Sequence, residues 1–187
     1  MHVKRLVVAL ILLPVFYLYI MKLPQVFFLI FLLAASVIAQ SEFCSMYRIG
    51  GLMRNTGILA GIAILSTIYF ARDLFPDMLL LSVIIISTIR LIGKRDPSSA
   101  LSDISPVLLS VLYIPCLLGS QLFLRGNGPG WIVFLFGCVW GSDSLAYYGG
   151  KGIGRKKLYK EVSQNKTIEG AVGSVAGGAM SGWLLNM

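Results

Sequence analysis

The chain has 187 residues, 57% of them hydrophobic and 13% charged, with a formal net charge of +8. Soluble domains carry about a quarter charged residues, so this balance excludes a water-soluble globular domain and predicts an all-α polytopic integral membrane protein. Nor does the basic excess indicate nucleic-acid binding, because the cations sit at the edges of apolar segments with no aromatic stacking platform beside them.

A helix needs about 20 apolar residues to cross the hydrocarbon core, and seven blocks approach that length: Leu6 to Met21, Pro24 to Ala39, Gly57 to Ala71, Met78 to Ile92, Pro106 to Leu124, Trp131 to Gly149 and Gly170 to Leu185. Lys4 and Arg5 ahead of the first block have the charge order of a signal peptide. The block is long for that role, however, and no small-x-small cleavage site precedes Lys22. A second span follows at once after Lys22-Leu23-Pro24, so the first two spans read as a helical hairpin, with Pro14 tolerated because neighbouring helices can satisfy the carbonyl it frees. The connection Gln40 to Thr56 has room for a short interfacial helix around Glu42 to Tyr47, ended by Gly50-Gly51. Lys94 to Ser105, with Asp96-Pro97, reads as plain connection. Cys44, Cys116 and Cys138 are dispersed, match no metal-ligand spacing and are assigned to packing. With no internal repeat and no long linker, residues 1–187 read as a single membrane domain.

The sixteen Lys and Arg residues set the orientation. Lys4, Arg5, Arg48, Arg54, Arg90, Lys94, Arg95, Lys151, Arg155, Lys156, Lys157, Lys160 and Lys166 fall on one side of the seven-span scheme, and Lys22, Arg72 and Arg125 on the other. Basic residues accumulate in cytoplasmic loops. The N-terminus and the second, fourth and sixth loops are therefore expected in the cytoplasm, in a bacterial inner membrane, where edge cations also attract anionic lipid headgroups.

Chemistry concentrates between Trp140 and Gly170. Asp143 lies inside an apolar span, where a carboxylate usually faces a cavity, a partner or an ion; the competing reading is a solvated residue near the helix end. Helical spacing puts Asp143, Ala146 or Tyr147, and Gly150 on one face. That face leads into Gly149 to Gly154, whose glycines could take positive φ and cradle phosphate, with Lys151, Arg155, Lys156 and Lys157 as cations. A carboxylate beside a basic, glycine-rich loop suits Mg²⁺ and a nucleoside triphosphate, because Mg²⁺ takes one or two carboxylates plus phosphate oxygens. Ser163, Lys166, Thr167 and Glu169 form a second polar cluster, in which capping of the last helix is the plain alternative. Gly173 and Gly177, with a parallel stripe of Ser174, Gly178 and Gly182, predict close helix packing on two sides and a surface for a homo-oligomer.

The ordered set Trp140-x-x-Asp143-Ser144-x-Ala146-Tyr147, the Gly/Lys loop with Gly154, Lys157 and Leu158, and Val162-Ser163-x-x-Lys166-Thr167-x-Glu169-Gly170 resembles the phosphatidate cytidylyltransferase (CDP-diacylglycerol synthase) family. The resemblance implies that CTP and phosphatidate give CDP-diacylglycerol and pyrophosphate with Mg²⁺ as cofactor. It casts Asp143 as metal ligand, Lys151, Lys156, Lys157 and Lys166 as phosphate contacts, and Ser163, Thr167 and Glu169 as the nucleotide pocket. Ser163-Gln164 departs from the family's usual Ser-Pro. The family's later signature, rich in Lys, Asp, His and Gly, supplies further acidic residues to the metal site. Residues 1–187 therefore correspond to the N-terminal two thirds of a family-length protein, catalytic residues stay unassigned, and little turnover is expected of this chain by itself. Alternatives are a CTP-dependent polyprenol or phytol kinase, which shares an Asp-x-x-Ala helix and a Lys-Ser/Thr-x-Glu-Gly element, a small transporter, and an inactive partner protein. Inverted repeats and interrupted midplane helices, the marks of many transporters, are missing from the sequence.

Overall fold

A computed structural model of the chain describes residues 13–94, 96–159, 161 and 163–185. The first residues of the first predicted span, with Lys4, Arg5, Arg95 and Lys160, lie outside the described residues. The described part of every apolar block is helix, because a backbone shielded from water must satisfy its own N–H and C=O groups and a helix does so within one segment. In chain order these are α1 (Leu13–Lys22), α2 (Gln25–Met46), α3 (Gly51–Phe70), α4 (Phe75–Gly93) after a 3₁₀ turn at Arg72–Leu74, α5 (Ala100–Tyr113), α6 (Pro115–Gly126), α7 (Pro129–Gly152) and α8 (Ile168–Leu185). A two-stranded antiparallel ribbon, β1 (Lys157–Tyr159) and β2 (Ser163–Thr167), joins α7 to α8. Among the described residues, four segments are long and apolar enough to cross a membrane: Gln25–Met46, Gly51–Phe70, Arg72–Gly93 and Ala100–Gly126. Glycine, serine and a carboxylate dilute α7 and α8, which are not among the four.

Two sequence expectations shift. The separate interfacial helix around Glu42 to Tyr47 does not form. Instead α2 continues to Met46 because Gln40 and Cys44 stay buried on its inner face. It ends where Arg48 takes φ 56° and the Ile49 N–H donates to the Cys44 carbonyl at 2.9 Å. Second, the fifth block is two helices. Pro115 brings no N–H and restricts the residue before it, so α5 ends at Tyr113 and α6 starts at Pro115, while Pro106 lies within α5.

The chain divides into two compact units, one of residues 22–127 and one joining the described residues up to Met21 with those from Gly128 onward. In the first, α3 packs against α2, α4, α5 and α6. Its core is apolar at Phe28, Leu32, Ile64, Leu65, Ile86 and Val111. A polar seam crosses it: Gln40, fully buried, donates to the Gly57 carbonyl at 3.1 Å and accepts from Ser36 Oγ at 3.4 Å. A Cβ at Gly61 would collide with the Gln40 side chain, so glycine there admits the amide between α2 and α3. Outward, Ile38, Leu59, Leu80 and Ile84 are each about 60% exposed, a density of large apolar side chains that suits lipid and not water.

Connections of alternate parity gather at opposite ends of this unit. At one end the α2–α3 turn and the loop after α4 border a common cleft, bringing Arg48 near Arg90 and Lys94. At the other, Arg125 Nη2 donates to the Leu23 carbonyl at 2.6 Å and its guanidinium covers the Phe28 ring at 4.9 Å, with Arg72 over Phe123 at 5.4 Å. The loop after α4 is more than plain connection. Arg90, 4% exposed, donates through Nε to Asp103 at 2.7 Å and through Nη2 to Ser99 Oγ and the Asp96 carbonyl. The Ser98 and Ser99 hydroxyls donate to the Asp96 carboxylate and, Ser98 foremost, lower its pKa to about 2.

Candidate functional site

The site lies wholly within the second unit and is built on the pairing of α7 with α8. Gly128, at φ 136°, precedes Pro129 at the first turn of α7, where proline's missing N–H costs nothing. The apolar turns Trp131 to Trp140 follow, and the Phe136 ring meets Phe16 of α1 edge-on at 5.1 Å. From Gly141 the helix turns polar and α8 runs antiparallel along it. A Cβ at Gly177 would stand 2.5 Å from the Gly141 carbonyl oxygen, and one at Gly173 would stand 2.8 Å from that of Leu145. Ser142 and Ser174 share a hydrogen bond of 2.7 Å across the seam. Gly178 lies near Ser142, and Gly182 near Cys138 and Phe134. Both small-residue stripes of α8 thus meet the same partner, correcting the expectation of packing on two sides.

The glycine-rich stretch is also corrected. Gly149, Gly150 and Gly152 are helical, since α7 continues through them, and the described positive-φ glycines are Gly51 and Gly128 alone. No phosphate-cradling loop forms there. What these glycines supply is closeness: a Cβ at Gly150, Gly154 or Gly170 would come within about 3 Å of the Thr167 hydroxyl oxygen. Thr167, itself buried, accepts there from the Gly170 N–H at 3.1 Å, which is the side-chain cap of α8.

Beside this seam opens a cavity of about 750 Å³. α7 contributes Asp143, Ala146, Tyr147, Gly150 and Lys151, the face anticipated from helical spacing. The ribbon contributes Ser163, Asn165, Lys166 and Thr167, with Leu158 opposite, and α8 adds Ala171 and Ser174. Asp143 is exposed to the cavity and makes no hydrogen bond or ion pair with another described residue, and the Lys151 ammonium lies 5.7 Å from the Tyr147 ring centroid.

These positions fall inside the region that known proteins match. Residues 3–187 match the model of a family described as the cytidylyltransferase family. The chain belongs to that family. Similar curated proteins include a phosphatidate cytidylyltransferase of Brucella abortus, 45% identical over 69 residues (35% of this chain, 26% of that protein). One of Bacillus subtilis is 28% identical over 102 residues (53% and 37%), and one of Staphylococcus aureus 39% over 75 residues (39% and 28%). The matched segments thus span about a quarter to somewhat over a third of those relatives' own lengths.

Of the residues expected at the site in this cytidylyltransferase-family chain, Asp143, Lys151, Ser163, Lys166 and Thr167 come together, and Lys156, Lys157 and Glu169 stay outside the cavity lining. Lys157 is exposed and pairs with Thr167 across the ribbon. Glu169 accepts from the Lys156 backbone N–H at 3.2 Å, and the Ile168 N–H donates to the Lys156 carbonyl at 2.9 Å. Its own backbone N–H foremost, then those of Arg155 and Lys156, hold the Glu169 carboxyl below its usual range. Glu169 therefore fastens the chain after α7 to the first turn of α8. Asn165 was missed, although period-two alternation along a strand puts it beside Ser163 and Thr167; reading 163–167 as a strand would have found it. Among the described residues no three His, Cys, Asp or Glu side chains converge. The donor set of the cavity, one carboxylate among neutral oxygens and two ammonium groups, fits a magnesium ion carried in by phosphates and does not fit an all-protein metal cage.

Proposed function

We propose that the α7–α8 cavity binds the triphosphate of CTP and that the protein acts as a phosphatidate cytidylyltransferase, a nucleotidyltransferase of phospholipid biosynthesis. The observation that carries this reading is the convergence of Asp143, Lys151, Lys166, Ser163 and Asn165 on one cavity in a chain of this family. In the reaction, a phosphate oxygen of phosphatidate attacks the α-phosphorus of CTP, a new P–O–P bridge forms, and the bond to the β-phosphate breaks to release pyrophosphate. Lys151 and Lys166 neutralise charge on the phosphates as it shifts toward the leaving group, which is electrostatic stabilisation by groups held in advance. Ser163 and Asn165 donate to phosphate or base oxygens. Asp143 would hold magnesium against the nucleotide, and the ion when bound withdraws charge from the phosphate oxygens.

The thirteen-to-three division of Lys and Arg supports a cytoplasmic ribbon, in an inner membrane where CTP reaches it. The small faces of α8 meet α7, so a homo-oligomer would use other surfaces, and the exposed Val172 and Val175 edge is one.

Equilibrium binding of radiolabelled CTP to the purified chain in nanodiscs, with unlabelled ATP and UTP as competitors, tests the reading. Saturable binding displaced by CTP ahead of ATP is expected. Its absence, in protein that melts cooperatively, would refute the assignment.

A further inference from the structure

A second charged cleft lies in the unit of residues 22–127, where the α2–α3 turn meets the end of α4 and the first turn of α5, with a volume of about 400 Å³. Its lining is cationic at Arg48, Arg90 and Lys94 and apolar at Ile49, Leu52 and Met53. Asp103 is the carboxylate that lines it, and it is shared between Arg90 Nε at 2.7 Å and Lys94 Nζ at 3.1 Å. Three cations against one carboxylate leave two positive charges uncompensated in the lining. Arg90 cannot swing away, because its other nitrogens are bonded to the Lys94 and Asp96 carbonyls and to Ser99. Asp96 does not line the cleft; its carboxylate accepts from Ser98 and Ser99, and Lys94 acts on it more weakly from a distance. Arg48 takes φ 56° just past the end of α2, which sets it in the turn that borders the cleft.

The mixed lining defines the ligand. A free inorganic anion would have no use for Ile49, Leu52 and Met53, and an acyl chain none for two spare cations. Basic pockets between membrane helices near one surface take phosphate-bearing headgroups. We propose that this cleft holds the phosphate of an anionic phospholipid headgroup. Arg48 and Lys94 bond the phosphate oxygens, Arg90 holds Asp103 in place, and Ile49, Leu52 and Met53 cover the glycerol and first methylenes.

The test counts the lipids retained by the purified chain when it is released from phosphatidylcholine nanodiscs doped with phosphatidylglycerol, using native mass spectrometry. The wild type should keep phosphatidylglycerol in preference to phosphatidylcholine. Arg48→Gln with Lys94→Gln should lower that retention about thirtyfold, since each basic residue near the surface contributes about 1 kcal/mol, and leave phosphatidylcholine unchanged. Lys22→Gln, at the opposite end of the unit, should behave as wild type. Equal retention by the wild type and the double variant would overturn the proposal. So would displacement of the lipid by millimolar inorganic phosphate, which would make the cleft a site for free anions. Should the double variant fail to fold, Lys94→Gln decides by the same comparison, because that side chain is 55% exposed and its loss leaves the Arg90–Asp103 pair in place.

Discussion

Arg90 and Arg125 in residues 22–127 and the cavity-lining charges of the α7–α8 unit are treated in opposite ways. In residues 22–127, Arg90 is buried against Asp103, Ser99 and two carbonyls, and Arg125 reaches the Leu23 carbonyl across the fold. In the α7–α8 unit, Asp143, Lys151 and Lys166 border an open cavity instead, and the buried contacts belong to glycine, serine and threonine. A buried charge with its partners supplied by the protein is scaffold, since breaking such a set strands a desolvated ion. Charges gathered around a cavity without each other are left for a ligand to pair. Glycine divides the same way: Gly61 admits a side chain, Gln40, whereas Gly141 and Gly177 admit backbone.

The comparison is broken most severely at the seam. Gly177→Leu drives a side chain into the Gly141 carbonyl, and overpacking of this kind costs about 1–3 kcal/mol. The expected outcome is the upper end of that range in thermal melting and complete loss of CTP binding. Retention of both would mean that α7 and α8 do not rely on backbone contact. Next in size is Arg90→Met, which removes the ion pair and its hydrogen bonds. With Asp103 partly exposed and Lys94 still beside it, about 2 kcal/mol of stability should be lost, less than for a fully buried pair. A melting midpoint within error of wild type would demote Arg90 from scaffold. Smallest is a matched pair in the basic segment. Lys166→Gln should weaken CTP binding about tenfold, the typical worth of a hydrogen bond to a charged group, and Lys157→Gln, at an exposed residue outside the cavity lining, less than about twofold. Equal effects would show that the segment acts through bulk charge.

How much of this was legible in the sequence follows from the length scale of each cause. Spans of about 20 apolar residues and the i, i+3, i+4 face through Asp143, Ala146, Tyr147 and Gly150 are local periodicities, and they survive into the fold. The conformation of Gly149 to Gly154 was not local. Glycine permits positive φ, but α8 approaches so closely that helix is the better use of it, and that approach depends on Gly170 and Gly173, some twenty residues on. The same holds for Lys94 to Ser105, where Asp96, Ser99 and Asp103 look like ordinary loop polarity until Arg90 is seen to lie beneath them. The ribbon escaped notice because strands of three and five residues are too short for alternation to stand out from a basic loop. Its absence from the sequence reading is also why Asn165 was passed over, whereas Lys156, Lys157 and Glu169 were placed at the site by the family resemblance.

The central claim, that the unpaired charges of α7 and the ribbon await a metal-bearing nucleotide, is tested most directly by Asp143→Asn. CTP affinity would be measured with magnesium and with EDTA on both proteins. Asparagine keeps the size and hydrogen-bonding capacity of the side chain and removes the charge that would hold the ion. Magnesium should tighten CTP binding by the wild type, and this gain should fall about tenfold or more in the variant, at an unchanged melting midpoint. The same magnesium-dependent affinity in both proteins would contradict it.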